Sequence, residues 1–277
     1  MIVWIASYPK SGNTWIRSFL CSYFFLDLDK ESFSFDVLRH MPVFPNKKLF
    51  NAFGSNPKNL QELAKSWIQV QKKINLNKKV NFLKTHNAFG NYKKHHFTDK
   101  INTLGAIYIV RDPRDVLVSY SKHMKKSISE TLRLIQDDNH IGFLEDQEGV
   151  IGDIRGSWSQ HYNSWKNFNI REKLIIKYED LIEDPFNNFL KAINYLNRLI
   201  GLKVDEENIK KCIKITSFNN LQNLEKTTGF KEKLTNHSDV PFFNTGKVKQ
   251  WQKVLDKETI NIVEKKFAKE MSELNYI

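Results

Sequence analysis

The chain reads as an α/β fold, a central parallel sheet flanked by helices on both faces. Two observations predict it. Short apolar runs, at residues 2–6, 80–84, 106–110 and 173–178, alternate with longer segments whose apolar residues recur at helical spacing. That alternation is the pattern of βαβ units and a buried parallel sheet. The runs also end in the chain's most chemically loaded residues. Such sheets bind ligands outside the carboxyl ends of their strands. At 277 residues, one domain spanning 1–277 is expected.

In order, the first run ends at Ala6 and is followed by a turn carrying Pro9, Lys10, Ser11 and Gly12. A helical pattern then opens at Asn13 and carries Ile16, Phe19, Leu20, Tyr23 and Phe24 on one face. Residues 27–57 hold three prolines and read as irregular, and 59–74 return to helical spacing. The second run leads into Lys84-Thr85-His86 and a basic loop, 86–100, with the pair His95-His96. The third, Ala106-Ile-Tyr-Ile-Val110, is the clearest buried strand and runs into Arg111-Asp112-Pro113-Arg114-Asp115. There Asp112 suits an N-cap, Pro113 the first helical position and Asp115 the capping-box position, so a helix is expected over 113–126.

Residues 127–152 read as a mobile substrate loop. Trp158, Tyr162 and Trp165 form an aromatic stripe at helical spacing, a pattern of core more than of site. After the fourth run, helices are expected from Asp184-Pro185 to a stop at Gly201, over 205–215 and over 257–274, with 226–250 polar and irregular.

Composition narrows the class. A hydrophobic content of 40% and an aromatic content of 13% are those of a globular protein. The two cysteines, Cys21 and Cys212, make neither a disulfide framework nor a metal cluster, and both fall in helical patterns as buried thiols. No apolar stretch reaches membrane-spanning length and no targeting segment is visible, so a cytoplasmic location is expected. The formal net charge of +12 favours an anionic partner without choosing among nucleic acid, membrane surface and a charged small ligand.

A strand, a tight basic turn and a helix start together make an oxyanion cradle. The new helix presents unpaired N–H groups, and its dipole favours negative charge there. Pro113 marks a second helix start, so two anion grips suggest a ligand with two anionic ends. His86, beside Lys84 at a strand end, is the candidate general base.

These residues resemble the cytosolic sulfotransferase family, whose members use 3′-phosphoadenosine 5′-phosphosulfate (PAPS). Tyr8-Pro-Lys-Ser-Gly-Asn-Thr-Trp15 is similar to the family's 5′-phosphosulfate loop, with Asn13 where Thr is usual. Lys84-Thr85-His86 is similar to the strand end carrying its catalytic histidine. The stretch from Arg111 to Ser119 resembles its 3′-phosphate motif, with the spacing of eight kept. Tyr178-Glu-Asp-Leu and Thr216-Ser-Phe218 resemble elements near the nucleotide.

The resemblance implies a P-loop nucleotide-binding-like sulfotransferase fold and a role for each position. Lys10 would meet the leaving 5′-phosphate, and Ser11, Gly12, Asn13 and Thr14 would cradle it. Trp15 would pack near the adenine. Arg111 and Ser119 would hold the 3′-phosphate. Lys84 would stabilise the sulfuryl group and His86 would take the acceptor proton. Tyr178, Thr216 and Phe218 would help bind the nucleotide. No metal is expected, because a sulfuryl group carries less charge than a phosphoryl group and lysines can serve instead.

One stretch departs from the family. It usually has Arg-Lys-Gly before a Trp. Here Gly246 and Trp251 are kept, but Asn244 and Thr245 fill the two cationic positions, leaving Lys247 or Lys249 as shifted substitutes. The acceptor, a small molecule or glycan, is open. Phe44, Phe89, Tyr92 and Phe143 are candidates to line its pocket or the core. A P-loop kinase is the enzymatic alternative, disfavoured by the missing Walker order of Gly-Lys-Ser/Thr. A basic module binding nucleic acid or another polyanion explains the charge but not the ordered strand-end motifs, so no nucleic acid is expected.

Overall fold

The computed structural model describes residues 1–30, 32–146, 149–170, 172–232 and 240–277. Its central sheet has four parallel strands: β1 (Ile2–Ser7), β2 (Asn81–Thr85), β3 (Thr103–Val110) and β4 (Lys173–Lys177), in spatial order β2-β1-β3-β4. β1 pairs Ile2–Ala6 with Asn81–Thr85 on one side and Val3–Ser7 with Gly105–Ile109 on the other. The chain steps one way from β1 to β2, then crosses back over β1 to lay down β3. That reversal is a topological switch point, and it opens a crevice above the carboxyl ends of β1, β2 and β3.

All six residues of β1 are buried, as expected of a strand covered on both faces. Successive side chains feed two cores. Trp4, Ala6, Leu83, Tyr108 and Val110 point to one, closed by the helices Leu60–Asn75, Pro113–Met124, Trp158–Asn167 and Lys257–Glu273. Val3, Ile5, Phe82, Ile107 and Ile176 point to the other, closed by the helices Asn13–Phe25, Pro185–Ile200 and Glu206–Ile215. The aromatic stripe Trp158, Tyr162 and Trp165 is core, each residue at most 2% exposed. Cys21 and Cys212 are buried free thiols.

Several local expectations are corrected. Tyr178 does not end the fourth strand; it opens a short helix, Tyr178–Glu183. The irregular 27–57 segment contains a 3-10 helix, Phe35–His40, and a short helix, Lys47–Ala52. The basic loop after His86 carries a small hairpin, Asn91–Tyr92 with His95–His96. The 127–152 segment contains a helix, Ile128–Gln136, followed by paired antiparallel strands, Ile141–Asp146 with Gly149–Ile154. Ser127 and Glu130 close a reciprocal capping box at that helix, satisfying two of its unpaired donors. A helix not expected from the sequence, Phe218–Thr228 with Ser217 as N-cap, runs into the start of the polar 226–250 stretch.

The helix after Arg111 starts at Pro113 with Asp112 as N-cap, as expected, and stops at Met124 because Lys125 turns left-handed at φ 49°. Asp115 does not complete a capping box. Its carboxylate accepts from the backbone N–H groups of Lys249 and Trp251, at 2.7 and 3.1 Å. Glu179 takes over the reciprocal role, accepting from the N–H of Asp112 at 3.1 Å.

Candidate active site

One cavity of about 710 Å³ occupies the crevice. Lys10, Gly12, Asn13, Thr14 and Trp15 come to it from the β1 turn, and Lys84 and His86 from the end of β2. Arg111 and Ser119 come from the end of β3 and the helix after it, Tyr178 from the end of β4, and Phe218 and Gly246 from the C-terminal third. The four strand ends therefore meet in one site.

The β1 turn is shaped by backbone conformations that side chains rarely adopt. Lys10 has φ 65° and Gly12 φ 100°, and a Cβ on Gly12 would lie 2.4 Å from the Tyr178 ring. Glycine is required there on both counts. Gly12 caps the Asn13–Phe25 helix without a side-chain hydrogen bond, so the helix entrance faces the cavity uncovered. The Asn13 amide donates back to the Ile5 carbonyl at 3.0 Å and to Ser7 Oγ at 3.2 Å, tying the helix start to β1. Among the described residues, Ser11 Oγ, Trp15 Nε1 and Arg111 Nε are buried without a hydrogen-bond partner. Orphaned donors beside an uncapped helix start fit an anionic ligand.

Three cationic or titratable groups come to the cavity from the ends of β1 and β2. Lys10 Nζ rests over the Phe242 ring, 4.0 Å from its centroid, and reaches the Phe242 carbonyl at 3.4 Å. Burial, with Arg111 and Lys84 nearby, pushes its ammonium down to about 7. Lys84, 6% exposed, donates to Glu232 Oε2 at 3.0 Å. Burial lowers its pKa and Glu232 opposes that shift. Backbone bonds on both sides of Lys84, from its N–H to the Pro42 carbonyl and to its carbonyl from the Phe44 N–H, fix it at the sheet edge at 2.9 and 2.7 Å.

His86 is the third group. Its Nδ1 lies 2.8 Å from the Ser7 carbonyl, which can only accept, so Nδ1 carries the proton and Nε2 keeps its lone pair. Burial, then Lys84, holds the imidazole well below its ordinary pKa, so it is neutral at physiological pH.

At the other end, Arg111 lies over the Tyr178 ring at 4.4 Å and donates to the carbonyls of Lys10 and Lys247 at 3.1 and 2.9 Å. It thereby joins the β1 turn to the 246–251 segment. Tyr178 Oη donates to the Gly246 carbonyl at 2.8 Å. Gly246 has φ 62°, and a Cβ there would meet the Phe218 ring at 2.4 Å. Of the two shifted lysines, Lys247 and Lys249 are both exposed and neither side chain lines the cavity. Asn244 and Thr245 line it, with the Thr245 hydroxyl donating to Gln250 Oε1 at 2.6 Å.

Thr216 and Ser11 are placed differently from the rest. Thr216 is fully buried behind the cavity wall, its hydroxyl donating to the Cys212 carbonyl at 2.7 Å. Ser11 is buried in the turn and does not line the cavity. Phe44, Phe89 and Tyr92 pack against the core and stay out of the cavity, and the Phe143 side chain lies outside the described residues.

Sequence reasoning missed Glu232, which lines the cavity and bridges Lys84 to Arg17, a side chain 1% exposed on the first helix. Against the cost of burial, Lys84 and Arg17 hold the Glu232 carboxylate well below the usual range. It also missed Arg155, which lines the same cavity. Glu232 stands 148 residues from Lys84, and no local pattern joins them.

The sulfotransferase domain model matches residues 2–275. Sulfotransferase 1E1 of Cavia porcellus is 29% identical over 255 residues, 90% of this chain and 75% of that protein. Sulfotransferase 1A1 of Bos taurus is 25% identical over 282 residues, 97% of this chain and 82% of that protein. Among solved structures, mouse sulfotransferase SULT7A1 complexed with PAP aligns with a TM-score of 0.58 at 19% identity, covering 98% of this chain and 84% of that one. Retinol dehydratase in a complex with retinol and PAP aligns with a TM-score of 0.61 at 16% identity, covering 98% and 81%.

Proposed function

The chain belongs to the sulfotransferase-domain family, and on that premise we propose that it transfers a sulfuryl group from PAPS to a hydroxyl or amine acceptor. The observation that carries the reading is the convergence of Lys10, Lys84 and His86 on one cavity, with the His86 tautomer fixed by Ser7. PAPS would bring the activated sulfuryl group and leave as adenosine 3′,5′-bisphosphate (PAP). Its anionic ends fit the orphaned donors and the uncapped helix start at the β1 turn, and the Arg111–Ser119 end.

The chain's own residues supply positioning, charge and a base. His86 Nε2 accepts the proton of the acceptor as its oxygen or nitrogen attacks in line, a contribution of about 10²–10⁴-fold for a well-placed base. Lys10 stabilises charge growing on the leaving 5′-phosphate, and Lys84 stabilises the sulfuryl oxygens in flight. Gly12, Asn13 and Thr14 hold the 5′ end, with Ser11 buried in the same turn, Trp15, Tyr178 and Phe218 provide aromatic surface for the base, and Arg111 and Ser119 take the 3′-phosphate. Arg111 supplies cationic charge at that end in place of Lys247 and Lys249, which are exposed and do not line the cavity. Thr216 caps the end of the helix Glu206–Ile215 that leads to Phe218, through its bond to the Cys212 carbonyl. Lysines can carry the electrostatic work here, so a bound metal is not needed for the proposed step.

The test is direct. Saturating PAP at about 100 Kd adds about 2.7 kcal/mol by linkage, a melting shift of roughly 5–10 °C for a domain of this size. Transfer of labelled sulfate from PAPS to an acceptor panel then reads the activity. No PAP-dependent shift and no transfer would overturn the reading.

A further inference from the structure

Arg155 contributes a further cationic group to the cavity, outside the nucleotide grips just described. It directly follows the hairpin strand Gly149–Ile154, and that strand is fastened to the residues after His86. The Ile154 N–H donates to Asn87 Oδ1 at 2.8 Å, and the Ala88 N–H donates to the Ile154 carbonyl at 2.7 Å. Arg155 is thus held in a fixed relation to the candidate base.

Its guanidinium is seated with care. Nη1 donates to Tyr120 Oη at 2.5 Å and Nη2 to Asp153 Oδ2 at 3.2 Å. It lies flat against Gly142, where a Cβ would come within 2.1 Å of Cζ, so the hairpin needs glycine at that point to admit it. Nε is buried and has no partner among the described residues. A guanidinium has five N–H donors in a rigid fork, and most of these remain open. Beside it, His140 Nδ1 is also buried and without a partner among the described residues. Lys122 and Lys126, both exposed, extend positive charge along the same cavity. Among the described residues, the carboxylates that line it, Asp153 and Glu232, are already paired with Arg155 and with Lys84 and Arg17.

We propose that this pocket selects an anionic acceptor, a hydroxyl compound carrying a carboxylate or sulfate group that Arg155 binds while the hydroxyl approaches His86. The proposal rests on the sulfotransferase reading of the site. Arg155 is then a specificity residue: it fixes which hydroxyl compounds enter, and the chemistry stays with His86 and the lysines. A fixed, partly desolvated guanidinium favours such a partner because its charge-assisted bonds form without reorganisation.

The test is binding to the PAP-saturated protein, which needs no turnover. Calorimetric titration compares 4-hydroxyphenylacetate with p-cresol, and a glucuronate-ended disaccharide with its glucose-ended counterpart. The first pair probes an aromatic acid and the second an acidic sugar. At least one carboxylate is expected to bind tenfold or more tightly than its neutral partner, and the pair concerned names the source. Arg155→Gln should reduce that preference to within twofold, while PAP affinity stays within threefold. Gly142→Ala, which keeps Arg155 but displaces it, should reduce the preference as well, so a poorly folded Arg155→Gln protein does not rescue the proposal.

Equal binding within both pairs, absence of binding by either carboxylate, or a preference surviving both substitutions would overturn it. PAP binding separates the two levels. Its failure removes the sulfotransferase reading; its success without carboxylate preference removes this inference alone.

Discussion

His86 Nδ1 sits 2.8 Å from the carbonyl oxygen of Ser7, across the boundary between β2 and β1. A backbone carbonyl cannot donate, so the bond selects one tautomer and presents Nε2 as the acceptor. His86→Ala is therefore expected to lower kcat by about 10²–10⁴-fold. PAP affinity should stay within about threefold, because no nucleotide grip is assigned to the ring. Parallel turnover and PAP titration check this, and unchanged turnover would remove His86 as the base.

Lys10 gives a pH dependence whose sign can be worked out. In the free protein its pKa is pushed down to about 7 by burial, Arg111 and Lys84. A bound phosphate raises it, so above pH 7 the complex holds more protons than its parts. PAP binding should take up a proton there and weaken as pH rises from 7 towards 9. Titrations in buffers of different ionisation enthalpy measure the uptake. It should vanish in Lys10→Met, and an uptake that persisted would place the titration elsewhere.

Gly12 is predicted to tolerate no side chain. Alanine would have to hold φ 100° and put its Cβ 2.4 Å from the Tyr178 ring. The strain alone is about 1–3 kcal/mol. Relief by moving Tyr178 would also disturb the Arg111 stack and the bond to the Gly246 carbonyl. Gly12→Ala should thus lower the melting temperature and weaken PAP tenfold or more. Wild-type PAP affinity in that variant would show that the cradle is not built on this contact.

The strands and their terminal motifs were legible because their signals are local. An apolar run, a Gly-bearing turn and an Asp-Pro helix start each act within a few residues. The helix 128–136 was missed, although Ser127 and Glu130 stand at the capping-box spacing that starts it. Asp115 shows the limit of that logic. It occupies the right position for a cap, yet two backbone amides 134 and 136 residues away claim its carboxylate. Lys247 shows the same limit from the other side, since its carbonyl serves Arg111 while its side chain faces solvent. Glu232 and Arg155 gained their roles entirely from tertiary approach.

Asp115 also yields a prediction. Burial raises its pKa even with Arg111 close by, yet its oxygens hold the N–H groups of Lys249 and Trp251. Asp115→Ala strands those donors and loosens the segment that Arg111 and Tyr178 hold from the other side. The loss should be about 1–3 kcal/mol, or a melting temperature lower by roughly 2–10 °C. PAP affinity should fall with it, and Asp115→Asn should recover part of both. A stable variant with intact PAP binding would show that the 246–251 segment keeps its place without this carboxylate.

Glu232→Gln separates stability from ligand binding. The carboxylate pairs with Lys84 and with the fully buried Arg17, and both partners hold its pKa below the usual range. Its stabilisation is therefore complete above the unfolded carboxylate pKa and is lost as pH falls below that value. At pH 7, Glu232→Gln leaves two buried cations without their counter-charge and should lower the melting temperature of the free protein. The same change removes a negative charge from an anion site, so PAP should bind more tightly and add a larger melting increment than in the wild type. The stability difference should shrink below about pH 4, where the unfolded chain's carboxylate takes up a proton that the folded one, its pKa held down, does not. A loss of both stability and PAP affinity would instead mean that Glu232 holds Lys84 in its working position.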